Sequence, residues 1–248
     1  MNFNFKNKTV LITGGARGIG LSIAKMYLTH GAEVIITYNE SLNNAEELLK
    51  WSREKSYKLK IFKLNLNDLE NVYSFLKLIN KEKIYNIDIL INNSGIDDIN
   101  PLIFQEDDKI LSLINVNFSN SLILTKYILK DFMKENSRII NISSVWGNVG
   151  ASCEVVYSST KGAINLFTKS LSKEMKFKGI KIIGIAPGII ETDMNKHLET
   201  HEKNEIVKEI PLNRIGNVND VVNAIKFFSS DYVNISGEII NIDGGWMM

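Results

Sequence analysis

Seven short runs rich in isoleucine and valine recur along the chain, each followed by a stretch long enough for a helix. This alternation limits the fold more than any other feature. The runs are Thr9–Thr13, Glu33–Thr37, Lys60–Leu64, Ile87–Ile91, Arg138–Ile142, Lys181–Ile185 and Glu238–Ile242. They read as continuous apolar stretches, as expected of strands buried on both faces. Between them lie helix-period segments at Ile19–Thr29, Asn44–Glu54, Asp68–Asn80, Asn120–Lys134, Val155–Lys178 and Asn217–Ser229. Within Asp68–Asn80 the residues Leu69, Val72, Tyr73, Leu76 and Ile79 form one apolar stripe. Strand and helix in alternation predict an α/β fold, a doubly wound, seven-stranded parallel sheet with helices on both faces. The three prolines, Pro101, Pro187 and Pro211, fall between the proposed elements, and no repeat, charge block or low-complexity linker divides the chain. A single domain over residues 1–248 is expected, with the polar, helical stretch 189–212 as a lid over a pocket.

Composition excludes several functional classes. The 29 lysines and arginines balance 28 acidic residues, so there is no global basic field for nucleic acid or an anionic membrane. No run reaches the roughly 18 apolar residues of a membrane helix. The start, Met1-Asn2-Phe3-Asn4-Phe5-Lys6, lacks the pattern of a signal peptide, and the single cysteine, Cys153, forms no intrachain disulfide. A cytoplasmic setting is the expectation. His197 and His201 are spaced i, i+4 without companion ligands, which reads as a solvated face, so no metal site is expected.

The first run leads into Thr13-Gly14-Gly15-Ala16-Arg17-Gly18-Ile19-Gly20 and then a helix. Gly14, Gly18 and Gly20 permit a tight turn and a close approach of backbone N–H groups to a phosphate. The helix N-terminus adds donors and partial positive charge, with Ile19 in its first turn. Set between a strand and a helix, the turn points to a dinucleotide in a Rossmann-type domain. An acid at the end of the second strand would favour NAD(H) by bonding the ribose 2′-hydroxyl. Here the strand ends Ile36-Thr37-Tyr38-Asn39, with no acid until Glu40. Thr37 is the candidate cofactor contact at this end, and Arg17 offers a fork for a phosphate. The combination favours NADP(H) over NAD(H), unless Glu40 turns inward.

Tyr157-Ser158-Ser159-Thr160-Lys161 opens a long helix, and its i, i+4 spacing projects phenol and ammonium from one face. A neighbouring cation would lower the tyrosine pKa toward neutrality and suit it to proton transfer. Ser144 follows the fifth strand, where a parallel strand ends at a cofactor crevice, and its hydroxyl could hold a carbonyl. Singly, each has a plain alternative: a half-buried tyrosine beside a surface lysine, or a serine capping a turn.

In this order the motifs resemble the short-chain dehydrogenase/reductase family over essentially the full chain. They are Thr13-Gly14-x-x-x-Gly18-Ile19-Gly20, Asn92-Asn93-Ser94-Gly95, Asn117, Ser144, Tyr157-x-x-x-Lys161, and Pro187-Gly188 with Thr192. The resemblance implies a catalytic tetrad. Tyr157 is the acid/base, Ser144 orients the carbonyl, Lys161 bonds the nicotinamide ribose and tunes Tyr157, and Asn117 holds a relay water. It also implies cofactor contacts from Asn92 and Gly95 on the adenosine side, Asn65 and Leu66 beside the adenine, and Pro187, Gly188, Ile190 and Thr192 at the nicotinamide. Ser94 stands where the family usually has alanine, and Ile182-Ile183-Gly184-Ile185 lacks the asparagine that commonly precedes Pro-Gly.

Two substrate readings stand nearly level. Met1-Asn2-Phe3, Glu191-Thr192-Asp193-Met194, Pro211-Leu212-x-Arg214-x-Gly216 and Asp243-Gly244-Gly245 resemble bacterial 3-oxoacyl-acyl-carrier-protein reductases. That resemblance implies an acyl carrier protein as partner and a role in fatty acid biosynthesis. Of the basic positions that dock the acidic carrier, Lys178 matches one, while Lys134-Glu135-Asn136-Ser137 lacks the other. The runs Ser143-Ser144-Val145-Trp146-Gly147, Gly150-Ala151-Ser152-Cys153-Glu154-Val155-Val156-Tyr157 and Gly244-Gly245-Trp246 look more like a second subgroup. Its members reduce the 5-aminopentanone modification of elongation factor P. Glu154 could then pair with the substrate amine, unless it caps the helix or meets another subunit, and Trp146 and Cys153 are candidate pocket residues. An NAD-dependent sugar or polyol dehydrogenase is a third reading, and a catalytically silent dinucleotide sensor a fourth. The family implies a homotetramer paired through the long helices.

Overall fold

The computed structural model describes residues 3–192, 199–231 and 233–247. All seven strands form: β1 Thr9–Ile12, β2 Glu33–Tyr38, β3 Leu59–Lys63, β4 Ile87–Asn92, β5 Met133–Ile142, β6 Lys181–Pro187 and β7 Ile239–Ile242. They make one parallel sheet in the order β3-β2-β1-β4-β5-β6-β7. The order reverses between β1 and β4, and a crevice opens there at the carboxyl ends of the strands.

The described α-helices are α1 Gly18–Thr29, α2 Leu42–Glu54, α3 Leu69–Lys81, α4 Asp107–Ile114, α5 Asn120–Asp131, α6 Trp146–Val149, α7 Val155–Glu174, α8 Thr200–Glu209 and α9 Val218–Phe228. Alternate strand residues feed two cores. Val10 and Ile12 of β1 pack with Ile23 and Tyr27 of α1, Leu48 of α2 and Ile225 of α9. Leu11 faces the other way, toward Phe75 of α3, Ile128 of α5 and Leu171 of α7. The α3 stripe holds, with Val72, Leu76 and Ile79 buried, Leu69 and Tyr73 partly so, and Phe75 joining them.

Three helices escape a reading by periodicity. Only Leu113 of α4 is buried, α6 is a single turn, and no residue of α8 is buried, so none carries an apolar stripe. The expected helix Asn120–Lys134 stops at Asp131, because Met133 already pairs with Ile87 in the sheet. Between α4 and α5 the chain makes a π-helical turn, Asn115–Ser119. Within 189–212, Ile190 bridges to Gly216 and α8 follows, while residues 193–198 lie outside the described residues. These include Asp193 and Met194 of one motif and His197. His201 contacts the Glu199 carboxylate.

The Pro211-Leu212-x-Arg214-x-Gly216 run builds the start of α9. The Asn217 side chain accepts from the Asn219 and Asp220 amides, and Arg214 forks onto Asp220 at 2.7 and 2.9 Å. That bond holds the Asp220 carboxyl below its usual range.

Candidate active site

The switch-point crevice is a cleft of about 530 Å³, open to solvent and of a size that holds small-molecule ligands. Its floor is the turn between β1 and α1. Gly14 and Gly18 adopt φ of +65° and +53°, the left-handed region that favours glycine. A Cβ on Gly20 would lie 2.2 Å from the Gly14 carbonyl oxygen, so this glycine is required by close packing. Among the described residues nothing lies nearer a Cβ on Gly18 than a Thr192 methyl at 4.0 Å, which leaves a cradle above the helix N-terminus. Such a cradle fits a pyrophosphate.

Neighbouring loops are strapped to this turn. The Thr13 hydroxyl accepts from the Asn93 and Ser94 amides at 3.0 Å each, and the Asn93 side chain donates to the Thr13 and Gly14 carbonyls. Asn65 and Leu66 line the wall, held by Asn71 and Asn120. Gly95, Pro187, Gly188, Ile190 and Thr192 line the cleft with Arg17 and Ile19.

Two expected cofactor contacts are corrected. Asn92 points into the protein, where its amide donates to Thr125 and Asn141, and its neighbour Asn93 takes the wall position. Thr37 is buried; its side chain and carbonyl accept from Gly14 and Gly15, so it braces the turn from behind. The wall there is instead Tyr38, Asn39, Glu40 and Ser41. Periodicity gives strand ends only to within a residue or two, and β2 runs one residue past its expected end.

At the other end of the cleft stand Ser144, Tyr157 and Lys161. Lys161 is buried, its ammonium 5.5 Å from the centre of the Tyr157 ring and donating to the Ile142 carbonyl at 3.0 Å. Asn117 lies in the π-helical turn, a feature frequent at functional sites, and its side-chain oxygen, like the Lys161 ammonium, would meet a Cβ on Gly95 at 3.5 Å. Its side chain accepts from the Ile96 amide and donates to the Ile96 carbonyl and the Thr160 hydroxyl, bracing the Gly95–Ile96 loop.

The expected lowering of the tyrosine pKa is reversed. Burial pushes the Tyr157 phenol well above its ordinary value, the charges of Glu154 and Asp97 push it further, and a hydrogen bond from Ser144 opposes them. Burial also lowers Lys161 to about 8, so the fold disfavours both charged forms. The tyrosine therefore holds its proton.

Trp146, Cys153 and Glu154 do not line the cleft. Trp146 packs edge-on against Trp246, and Cys153 has a φ of +62° in the preceding loop. Glu154 is the residue before α7 and acts on Tyr157 through charge. Asp97 lines the cleft and escaped sequence reading; its place just past the Asn-Asn-Ser-Gly run was the available signal.

The short chain dehydrogenase family pattern matches residues 8–203. The 3-oxoacyl-acyl-carrier-protein reductase FabG of Vibrio harveyi is 35% identical over 247 residues, covering 99% of this chain and 99% of that one. The uncharacterized oxidoreductase YmfI of Bacillus subtilis is 32% identical over 243 residues, covering 97% of this chain and 99% of the relative. A crystal structure of a short chain dehydrogenase from Burkholderia cenocepacia in complex with NADP is similar with a TM-score of 0.91 at 26% identity, covering 99% of this chain and 100% of that one.

Proposed function

The chain belongs to the short-chain dehydrogenase family and is an NAD(P)-dependent oxidoreductase acting on CH–OH and C=O groups, and we propose from this that it is an NADPH-dependent carbonyl reductase. One observation carries the reading: Ser144, Tyr157 and Lys161 share a cleft with the Gly14–Gly20 turn. The glycine cradle takes the pyrophosphate, and Arg17 takes the 2′-phosphate at the adenosine end. Lys161 holds the nicotinamide ribose, and Ile190 and Thr192 hold the carboxamide. The bound nicotinamide supplies the hydride. Ser144 donates a hydrogen bond to the carbonyl oxygen, and Tyr157 gives that oxygen its proton. Its raised pKa suits this direction, because the phenol remains protonated until charge develops on the substrate. Glu40 also reaches the cleft, so NAD(H) is the competing cofactor. A titration with NADPH and NADH separates them; tighter NADH binding would overturn the assignment to NADPH.

For the substrate we propose a 3-oxoacyl thioester of the acyl-carrier-protein type, docked near Lys178, in a homotetramer paired through the long helices. The relative from Vibrio harveyi supports this reading. A specific observation favours the 5-aminopentanone modification of elongation factor P as the second reading: the Asp97 and Glu154 charges both act on Tyr157, where a substrate ammonium would be stabilised and an anionic group repelled. NADPH oxidation against an acetoacetyl thioester and against the modified elongation factor decides between them. If the amine matters, Glu154→Gln and Asp97→Asn each lower kcat/KM about 10-fold more on the amino-ketone than on the thioester. Equal turnover of the amino-ketone by both variants would remove the second reading.

A further inference from the structure

A buried polar chain crosses behind Ser144, and the tetrad does not account for it. Asn165 lies one turn beyond Lys161 on α7 and is 6% exposed. Its side-chain oxygen accepts from the Ser143 hydroxyl at 2.6 Å, and its nitrogen donates to the Asn148 side chain at 2.8 Å. Asn148 in turn donates to Asn241 of β7 at 2.9 Å. One amide thus grips both flanks of Ser144: the residue before it and the end of the single turn α6 after it. On the opposite side β6 holds the same segment through Ser143 to Ile185 and Val145 to Pro187. The fit is close. A Cβ on Gly147 would lie 2.7 Å from the Lys161 carbonyl carbon and 3.0 Å from the Asn165 nitrogen.

We propose that Asn165 is a positioning residue for the reaction, fixing the Ser144 segment in register against the helix that carries Tyr157 and Lys161. The inference rests on the proposed roles of Ser144 and Tyr157. Its physical basis is that a buried amide with both ends engaged permits one placement of the loop, whereas an apolar residue leaves the Ser143 hydroxyl only the Lys161 carbonyl at 3.2 Å and leaves Asn148 without its inner partner. Displacement of Ser144 by an ångström would misplace the carbonyl between hydride and proton donor.

The test is Asn165→Leu, near in size, with Asn148→Ala as an exposed second variant that breaks the outer link. Hydrogen exchange in the cofactor-free protein reads the positioning directly: amides of residues 143–149 exchange faster in Asn165→Leu, while those of β5 and the rest of α7 do not. With NADPH and an acetoacetyl thioester, kcat falls about 10- to 100-fold. NADPH Kd stays within about twofold, and Asn148→Ala shows a smaller fall. In alcohol oxidation with NADP+, the rise in rate with pH that reports the Tyr157 phenolate also shifts to higher pH, because the Ser144 hydrogen bond that opposes the raised pKa is weakened. Unchanged exchange over 143–149, or faster exchange throughout the protein, would overturn the proposal. So would kcat within twofold of the parent in both variants. If the parent itself turns over no ketone, the functional reading fails and the exchange result still decides the positioning.

Discussion

A phenol and an ammonium one helical turn apart in water would favour each other's charged forms, yet inside this fold both lose more to burial than they gain. Lys161 is lowered to about 8, so it is protonated below that pH and neutral above it. If the ammonium anchors the cofactor, kcat/KM for NADPH declines as pH rises through about 8, with loss of one proton, and Lys161→Met flattens the profile. Tyr157, raised by burial and two carboxylates, keeps its proton through neutrality. Oxidation of the alcohol product, which needs the phenolate, is therefore expected to climb steadily from pH 7 to pH 10, whereas reduction does not. Initial rates in the two directions check this. The sign of the tyrosine shift was not legible in the sequence: the Tyr-x-x-x-Lys spacing gives proximity, but burial and the approach of Asp97 are properties of the folded cleft.

Among the elements, the turn between β1 and α1 and the approach of α6 to α7 set the geometry. The first was legible, because glycines at 14, 18 and 20 where strand passes into helix admit few backbone courses. Gly20→Ala would drive a methyl into the Gly14 carbonyl, so an NADPH Kd at least about 10-fold weaker is expected by titration, with a stability loss of about 1–3 kcal/mol in urea unfolding. The second was hidden. Gly147 and Asn165 belong to no spacing rule, and α6 is too short for periodicity to reveal. Gly147→Ala should separate α6 from α7 and reduce kcat more than it weakens NADPH binding, measured on the same preparation. Asn92 teaches the same lesson: the Asn-Asn-Ser-Gly run marked the right loop, but side-chain direction put Asn93 on the wall and Asn92 in the interior.

For the whole molecule, the sheet and both helical layers follow from the alternation of apolar runs with helical stretches, because strands covered on two faces leave little choice of topology. What alternation cannot specify is the polar lining of the cleft, assembled from loops distant in sequence. Since the cleft joins both halves of the sheet, its ligand should stabilise the whole domain. NADPH at about 100 times its Kd adds about 2.7 kcal/mol, or roughly 5–10 °C in Tm at this size, and NADH at the same concentration adds less. The most direct test of the central claim is the rate of NADPH oxidation by Tyr157→Phe with a ketone that the parent protein reduces. A tyrosine that supplies the proton predicts a kcat loss of about 100-fold or more with NADPH Kd within about twofold of the parent. Turnover at the parent rate without that hydroxyl would contradict it.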